Sequence, residues 1–98
     1  MSSLKLRMSV AAVQDLEHIW IFTKQNWSER QADRYYKLIT DEISYLCSHP
    51  SSGRSYEMVR KGYRAAKVKS HLIFYQFDTN VIEIIRILHE RMDIIEQL

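Results

Sequence analysis

"HLIFYQFDTNVIEIIRIL", residues 71–88, decides the fold. Its two arms, 71–77 and 81–88, are dense in β-branched and aromatic side chains, which suit a pleated, half-buried surface. "DTN" at 78–80 supplies turn chemistry between them, so the arms predict an antiparallel hairpin. Strict alternation along the second arm places Ile82, Ile84 and Leu88 on one face with Arg86. Val81, Ile85, Ile87 and His89 fall on the other, interrupted by Glu83. Neither face is uniformly polar, so both ask for a covering layer.

Upstream of the hairpin, Tyr63–Val68 reads as a weaker strand and "HPSSGR" (49–54) as a loop. Before that loop the period changes. Ala32, Tyr35, Tyr36, Ile39, Ile43, Leu46 and Cys47 form a helical stripe that opens at Ser28 and stops near Pro50. Ser28 followed three residues later by Gln31 has the spacing of a capping box. Val13, Leu16, Ile19, Trp20, Thr23 and Trp27 give an earlier helix, capped by Ser9 and ending near Asn26. So short a link between the helices folds them back as a hairpin. At the start, Leu4, Leu6 and Met8 alternate with Lys5 and Arg7 as a short strand. The predicted order is β-α-α-β-β-β, an α+β domain. The helical hairpin packs on one face of a small, mostly antiparallel sheet, with the first strand at its edge. The other face is expected to be open to a partner.

The totals fit this. A chain of 98 residues predicts a single domain over 1–98, and 46% hydrophobic content is enough for one small core. Cys47 is the only cysteine, which excludes an internal disulfide or a cysteine metal cluster. With no signal-like leader and no long apolar run, a cytoplasmic protein without membrane contact is expected. His18, His49, His71 and His89 lie far apart in sequence, and "HERMD" (89–93) has Asp93 where a zinc-protease motif needs its second histidine. No Gly-rich phosphate loop is present, so neither metal nor cofactor is expected. Trp20, Trp27, Tyr35 and Tyr36 lie on helix stripes and read first as core. Net charge is only +2, yet Arg54, Arg60, Lys61, Arg64, Lys67 and Lys69 face a single acid, Glu57, between 54 and 69. Such a run suits an acidic partner or phosphates, or is simply the solvated edge of a strand.

Taken in order, "MSVAAVQDLEHIW" (8–20), "HPSSGR", "HLIFY" (71–75) and "IIRILHERMD" (84–93) resemble the ParE branch of the ParE/RelE toxin superfamily. The resemblance implies a toxin of a bacterial type II toxin–antitoxin pair that binds DNA gyrase and blocks replication without a reaction of its own. It implies a ParD-like antitoxin whose C-terminal tail folds onto the toxin, giving a hetero-oligomer that meets operator DNA only through the antitoxin. The RelE branch, which cuts mRNA on the ribosome, is the alternative. There the hairpin's first strand carries a phosphate-binding arginine where this chain has Leu72. Of the paired basic positions in the preceding strand only Arg64 is kept, beside Ala66, and no late tyrosine follows His89. A leucine cannot neutralise a phosphorane. The resemblance therefore points to a non-enzymatic toxin, with Arg64, Lys67, Arg86, His89 and Arg91 as candidate gyrase contacts. Trp20, Phe22, Trp27, Tyr35 and Arg60 are candidate antitoxin contacts.

Overall fold

The computed structural model describes residues 3–98; Met1 and Ser2 of the domain expected over 1–98 lie outside the described residues. Strand β1 (Lys5–Met8) leads into helix α1 (Val10–Asn26), then helix α2 (Glu29–Ser48). A 3-10 turn (Pro50–Ser52) and a two-residue strand, β2 (Arg54–Ser55), follow. Strands β3 (Arg64–Val68), β4 (His71–Phe77) and β5 (Val81–His89) complete the sheet, and a short helix, α3 (Ile94–Gln97), ends the chain. The sheet order is β1-β5-β4-β3-β2, antiparallel throughout except for the parallel β1–β5 pair. This is the expected α+β architecture, with β2 and α3 as additions. Both are too short for periodicity to reveal.

The helix starts follow from their caps. Ser9 Oγ accepts from the Ala12 N–H at 2.9 Å, and Ser28 Oγ accepts from the Gln31 N–H at 3.1 Å. Each satisfies a backbone donor that the first helical turn leaves unpaired. Ala12, Leu16, Ile39, Ile43 and Leu46 pack against Ile73, Tyr75, Ile82, Ile84 and Ile87 to form the main core between helices and sheet.

Membership of both Ile84 and Ile87 in that core corrects the strict alternation expected along β5. Phe74 pairs with Arg86 but Tyr75 pairs with Ile84, so Ile85 is an extra residue, a β-bulge that switches the facing of the strand. The bulge has local support. Ser9 Oγ donates to the Ile85 carbonyl at 2.6 Å. The Asp15 carboxylate accepts the Ile87 N–H at 2.9 Å and holds Arg86 through two bonds, of 2.7 and 2.9 Å. Backbone groups on the flank of β5 beyond β1 thus find partners on α1 and its capping serine.

The far face of the sheet is not open. Ala65, Phe74 and Leu88 are buried there beneath Tyr56, Leu72, Ile94 and Leu98. The chain's own C-terminal turn and the loop before β3 provide the cover that the sequence reading left to a partner.

Candidate functional site

Two adjoining clefts of about 290 and 380 Å³ lie between the C-terminal half of α1 and the ends of β4 and β5. Both are lined by Phe22, Thr23, His71 and His89. The link between the helices shapes the rim. Trp27 closes α1 by donating its N–H to the Thr23 carbonyl at 2.9 Å, and Ser28 at once caps α2. The Trp27 ring is left outside at 68% exposure, beside Phe22 at 59%, with ring centroids 6.2 Å apart. The floor is polar. Tyr35 Oη lies 2.6 Å from His71 Nδ1 and also donates to the Val68 carbonyl at 3.2 Å. His89 stands edge-on to His71 at 5.2 Å, and its Nδ1 accepts the Arg91 N–H at 3.1 Å.

Burial, reinforced by the neighbouring His89, lowers the His71 pKa to about 4, so the ring is neutral at physiological pH. Burial likewise raises the Tyr35 hydroxyl. Neither group is poised near neutrality, where a general acid or base works best. The first cleft has one cation, Lys69, and no carboxylate in its lining. An apolar side chain next to an acid fits such a lining.

Four candidate residues meet here: Phe22, Trp27, Tyr35 and His89. The others are dispersed. Trp20 lines a shallow depression on the outer side of the helical hairpin, where its Nε1–H donates to Asp33 at 2.9 Å and Lys24 lies over its ring at 5.2 Å. Trp27 and Tyr36 are exposed, which overturns their first reading as core; among the four helix aromatics Tyr35 packs against the main core. Arg64 is tied to the Ser51 and Gly53 carbonyls by bonds of 2.7–3.1 Å, so it fastens the "HPSSGR" loop to β3. Arg86 is committed to Asp15 and to the Gln97 carbonyl. Both arginines read from sequence as outward contacts are thus bound internally. Lys67 forms a surface pair with Glu90 at 3.0 Å, holding that carboxyl below its usual range. Arg91 is exposed beyond the strand end, and Arg60 is exposed in the loop before β3 with its guanidinium 6.0 Å from the centre of the Tyr63 ring. Leu72 packs in the far-face cluster. Among the described residues, no three metal-ligating side chains converge.

Sequence reading missed His71 and Asp15. Continued without a bulge, the Phe77–Ile82 register sets His71 opposite Leu88; the extra residue at Ile85 brings it opposite His89 instead. Asp15 read as an ordinary polar position on a helix, and nothing in its local pattern signals a partner 71 residues away.

Against known proteins, residues 6–94 match the family model described as the ParE toxin of the type II toxin–antitoxin system, parDE. The chain is 38% identical over 87 residues to Toxin ParE1 of Caulobacter vibrioides, covering 89% of this chain and 90% of that one. It is 36% identical over 93 residues to Toxin ParE1 of Mycobacterium tuberculosis, covering 94% and 95% respectively. Among solved structures, a chain of the chromosomal ParDE TA system from P. aeruginosa superposes with a TM-score of 0.78 over 89% of this chain and 96% of that one. At 19% identity that likeness speaks to the fold alone.

Proposed function

The chain belongs to the ParE toxin family of type II toxin–antitoxin systems, and we propose that it acts by binding DNA gyrase and is restrained by a ParD-like antitoxin tail laid over the α1 clefts. The observation that carries the binding reading is the aromatic pair Phe22 and Trp27, standing exposed over the first cleft, whose lining holds no acid. Large aromatics dominate the energetics of protein interfaces, and a disordered tail that folds on binding needs such anchors. A tail bearing an apolar side chain beside an acid would place the first between Phe22 and Trp27 and the second near Lys69. Complementary charge speeds capture.

Support for poisoning rather than cleavage comes from what the sheet's cations do. Arg64 and Arg86 spend their donors on the chain itself, and Leu72 lies in an apolar cluster. RNA cleavage needs free cations around the phosphorane together with an acid and a base. His71 is held neutral and half-buried, and His89 has one ring nitrogen occupied. The cytoplasm is where both proposed partners would be met. The test is purified toxin incubated with gyrase, DNA and ATP, beside translating ribosomes. Gyrase-linked DNA breaks with intact mRNA are expected. Site-specific mRNA cuts with gyrase unaffected would transfer the chain to the nuclease branch.

A further inference from the structure

The loop between β2 and β3 is more ordered than its length suggests. Tyr56 N–H donates to the Tyr63 carbonyl at 2.8 Å, which closes the loop at its base. Inside it, the Val59 and Arg60 N–H groups both donate to the Tyr56 carbonyl, and Tyr63 N–H donates to Arg60. Gly62, at φ +84°, makes the turn that a side chain would oppose, and its N–H donates to the Glu57 carboxylate at 3.4 Å. The base is fixed to the far-face cluster, with Tyr56 edge-on to Phe74 at 5.2 Å. Yet within this frame Met58 stands 91% exposed, with Arg54, Arg60 and Lys61 exposed nearby in the chain.

A self-bonded loop that holds a methionine out beside arginines presents two of the residue types enriched at protein interfaces. The structure also divides the basic run into two kinds. Arg64 is consumed internally and Lys67 is paired, whereas Arg54, Arg60 and Lys61 form no salt bridge among the described residues. Glu57, the run's one acid, is exposed too, and its carboxylate accepts the Gly62 N–H, which leaves one acid against three unpaired cations. The loop precedes β3 and the cleft residue Lys69 follows it, so the two surfaces lie at opposite ends of that strand.

We propose that the Tyr56–Tyr63 loop is the surface that captures the toxin's target: Met58 enters an apolar pocket on a protein whose rim is acidic, and Arg54, Arg60 and Lys61 engage that rim. The site is separate from the antitoxin cleft. Methionine and arginine are enriched at protein interfaces, and a preorganised loop loses little freedom on docking. Nucleic acid is the competing occupant. A methionine beside two arginines matches the composition of protein interfaces, whereas nucleic-acid interfaces are built more from polar and basic groups, so an acidic protein is the occupant argued for. The proposal rests on the toxin reading but not on gyrase being the target.

The experiment uses inducible expression of the full chain with three variants: Met58→Asp, the double charge reversal Arg60→Glu/Lys61→Glu, and the control Lys5→Glu on the opposite sheet edge. Each is melted alone and titrated with the antitoxin. Wild type and Lys5→Glu are expected to arrest growth. Both loop variants are expected to lose arrest while melting and binding antitoxin as wild type does. If gyrase is the target, their affinity for it falls by about tenfold or more; if wild type arrests growth with gyrase untouched, the gyrase reading fails and loss of arrest still reports on the loop. Growth arrest by either folded loop variant overturns the proposal, as does a wild-type chain that arrests nothing. It is also overturned if wild type binds a 30-base-pair DNA duplex or a single-stranded RNA of the same length at micromolar concentration and the charge reversal removes that binding.

Discussion

Single side chains in this molecule carry unusual constraint because the loops are tied to the sheet by few groups. Tyr75 Oη donates to the Pro50 carbonyl at 2.7 Å and accepts the Gly53 N–H at 3.0 Å. A Cβ on Gly53 would lie 2.3 Å from that hydroxyl, so the glycine is required by close approach rather than by its backbone angle. Gly53→Ala is expected to cost about 1–3 kcal/mol, because the buried ring has nowhere to retreat. Urea denaturation measures it, and an unchanged midpoint would contradict the packing argument. His71 gives a pH dependence. Its folded pKa of about 4 lies below the ordinary value of 6.5, so the unfolded chain takes up the proton first. The stabilisation is complete above about pH 6.5 and is lost as pH falls towards 4. After discounting for partial solvent screening, the effect is on the order of 1 kcal/mol. Wild type should lose that much more stability than His71→Gln between pH 7.5 and 4.5. Parallel losses in the two proteins would assign the acid sensitivity elsewhere, for example to the Glu90 carboxyl held low by Lys67.

At the scale of elements, α1 is a helix with two unequal faces. Ala12 and Leu16 are buried, while Val10, Val13, Ile21 and Phe22 stand exposed, with Trp27 at its end. Leu16→Ala is expected to cost about 2–5 kcal/mol. The double variant Phe22→Ala/Trp27→Ala should change stability by under about 1 kcal/mol. It should nevertheless weaken antitoxin binding by about thirtyfold or more, which calorimetry of folded protein would measure. Equal loss of fold in both variants would make the aromatics core residues after all. A second duty of α1 is to hold the β5 bulge. Asp15→Ala would leave the Ile87 N–H and the Arg86 guanidinium without their shared acceptor, an expected loss of about 2–3 kcal/mol. Amide exchange at Ile87 should accelerate in that variant; retained protection would mean that the bulge has another source of support. These two duties explain what was legible in sequence. Caps, periods and the Pro50 stop are local, so both helices and the β4–β5 hairpin could be read with near-correct ends. The bulge is not local. Its residues keep strand-like chemistry throughout, and only the partner on α1 reveals where the alternation breaks. The same limit applied to Arg64 and Arg86. Sequence gives a residue type at a strand position, but not which carbonyl or carboxylate has already claimed it.

At the scale of the whole molecule, the sheet is covered on both sides, and unequally. The helical hairpin buries one face. The other is closed by Tyr56 from the loop before β3 and by Ile94 and Leu98 from the C-terminal turn. That turn is held by a small set of contacts: the Asp93 side chain accepts the Glu96 N–H, and Arg86 donates to the Gln97 carbonyl at 3.3 Å. Arg86 therefore joins α1, the β5 bulge and the C-terminal turn through one guanidinium. Removing Ile94–Leu98 would uncover Phe74, Leu88 and Leu72 and leave Arg86 anchored on one side. Losing the apolar contacts of two side chains is expected to cost about 2–4 kcal/mol. The exposed cluster should bind an apolar dye and promote self-association, because unpartnered apolar patches on small domains do both. The main core and helix content should persist, since Leu46, Ile73 and Ile84 do not touch the removed segment's cluster. Dye fluorescence with light scattering, beside far-UV circular dichroism, separates these outcomes. A truncated chain that scatters and stains like wild type would show that Ile94 and Leu98 are not what keeps this face from water.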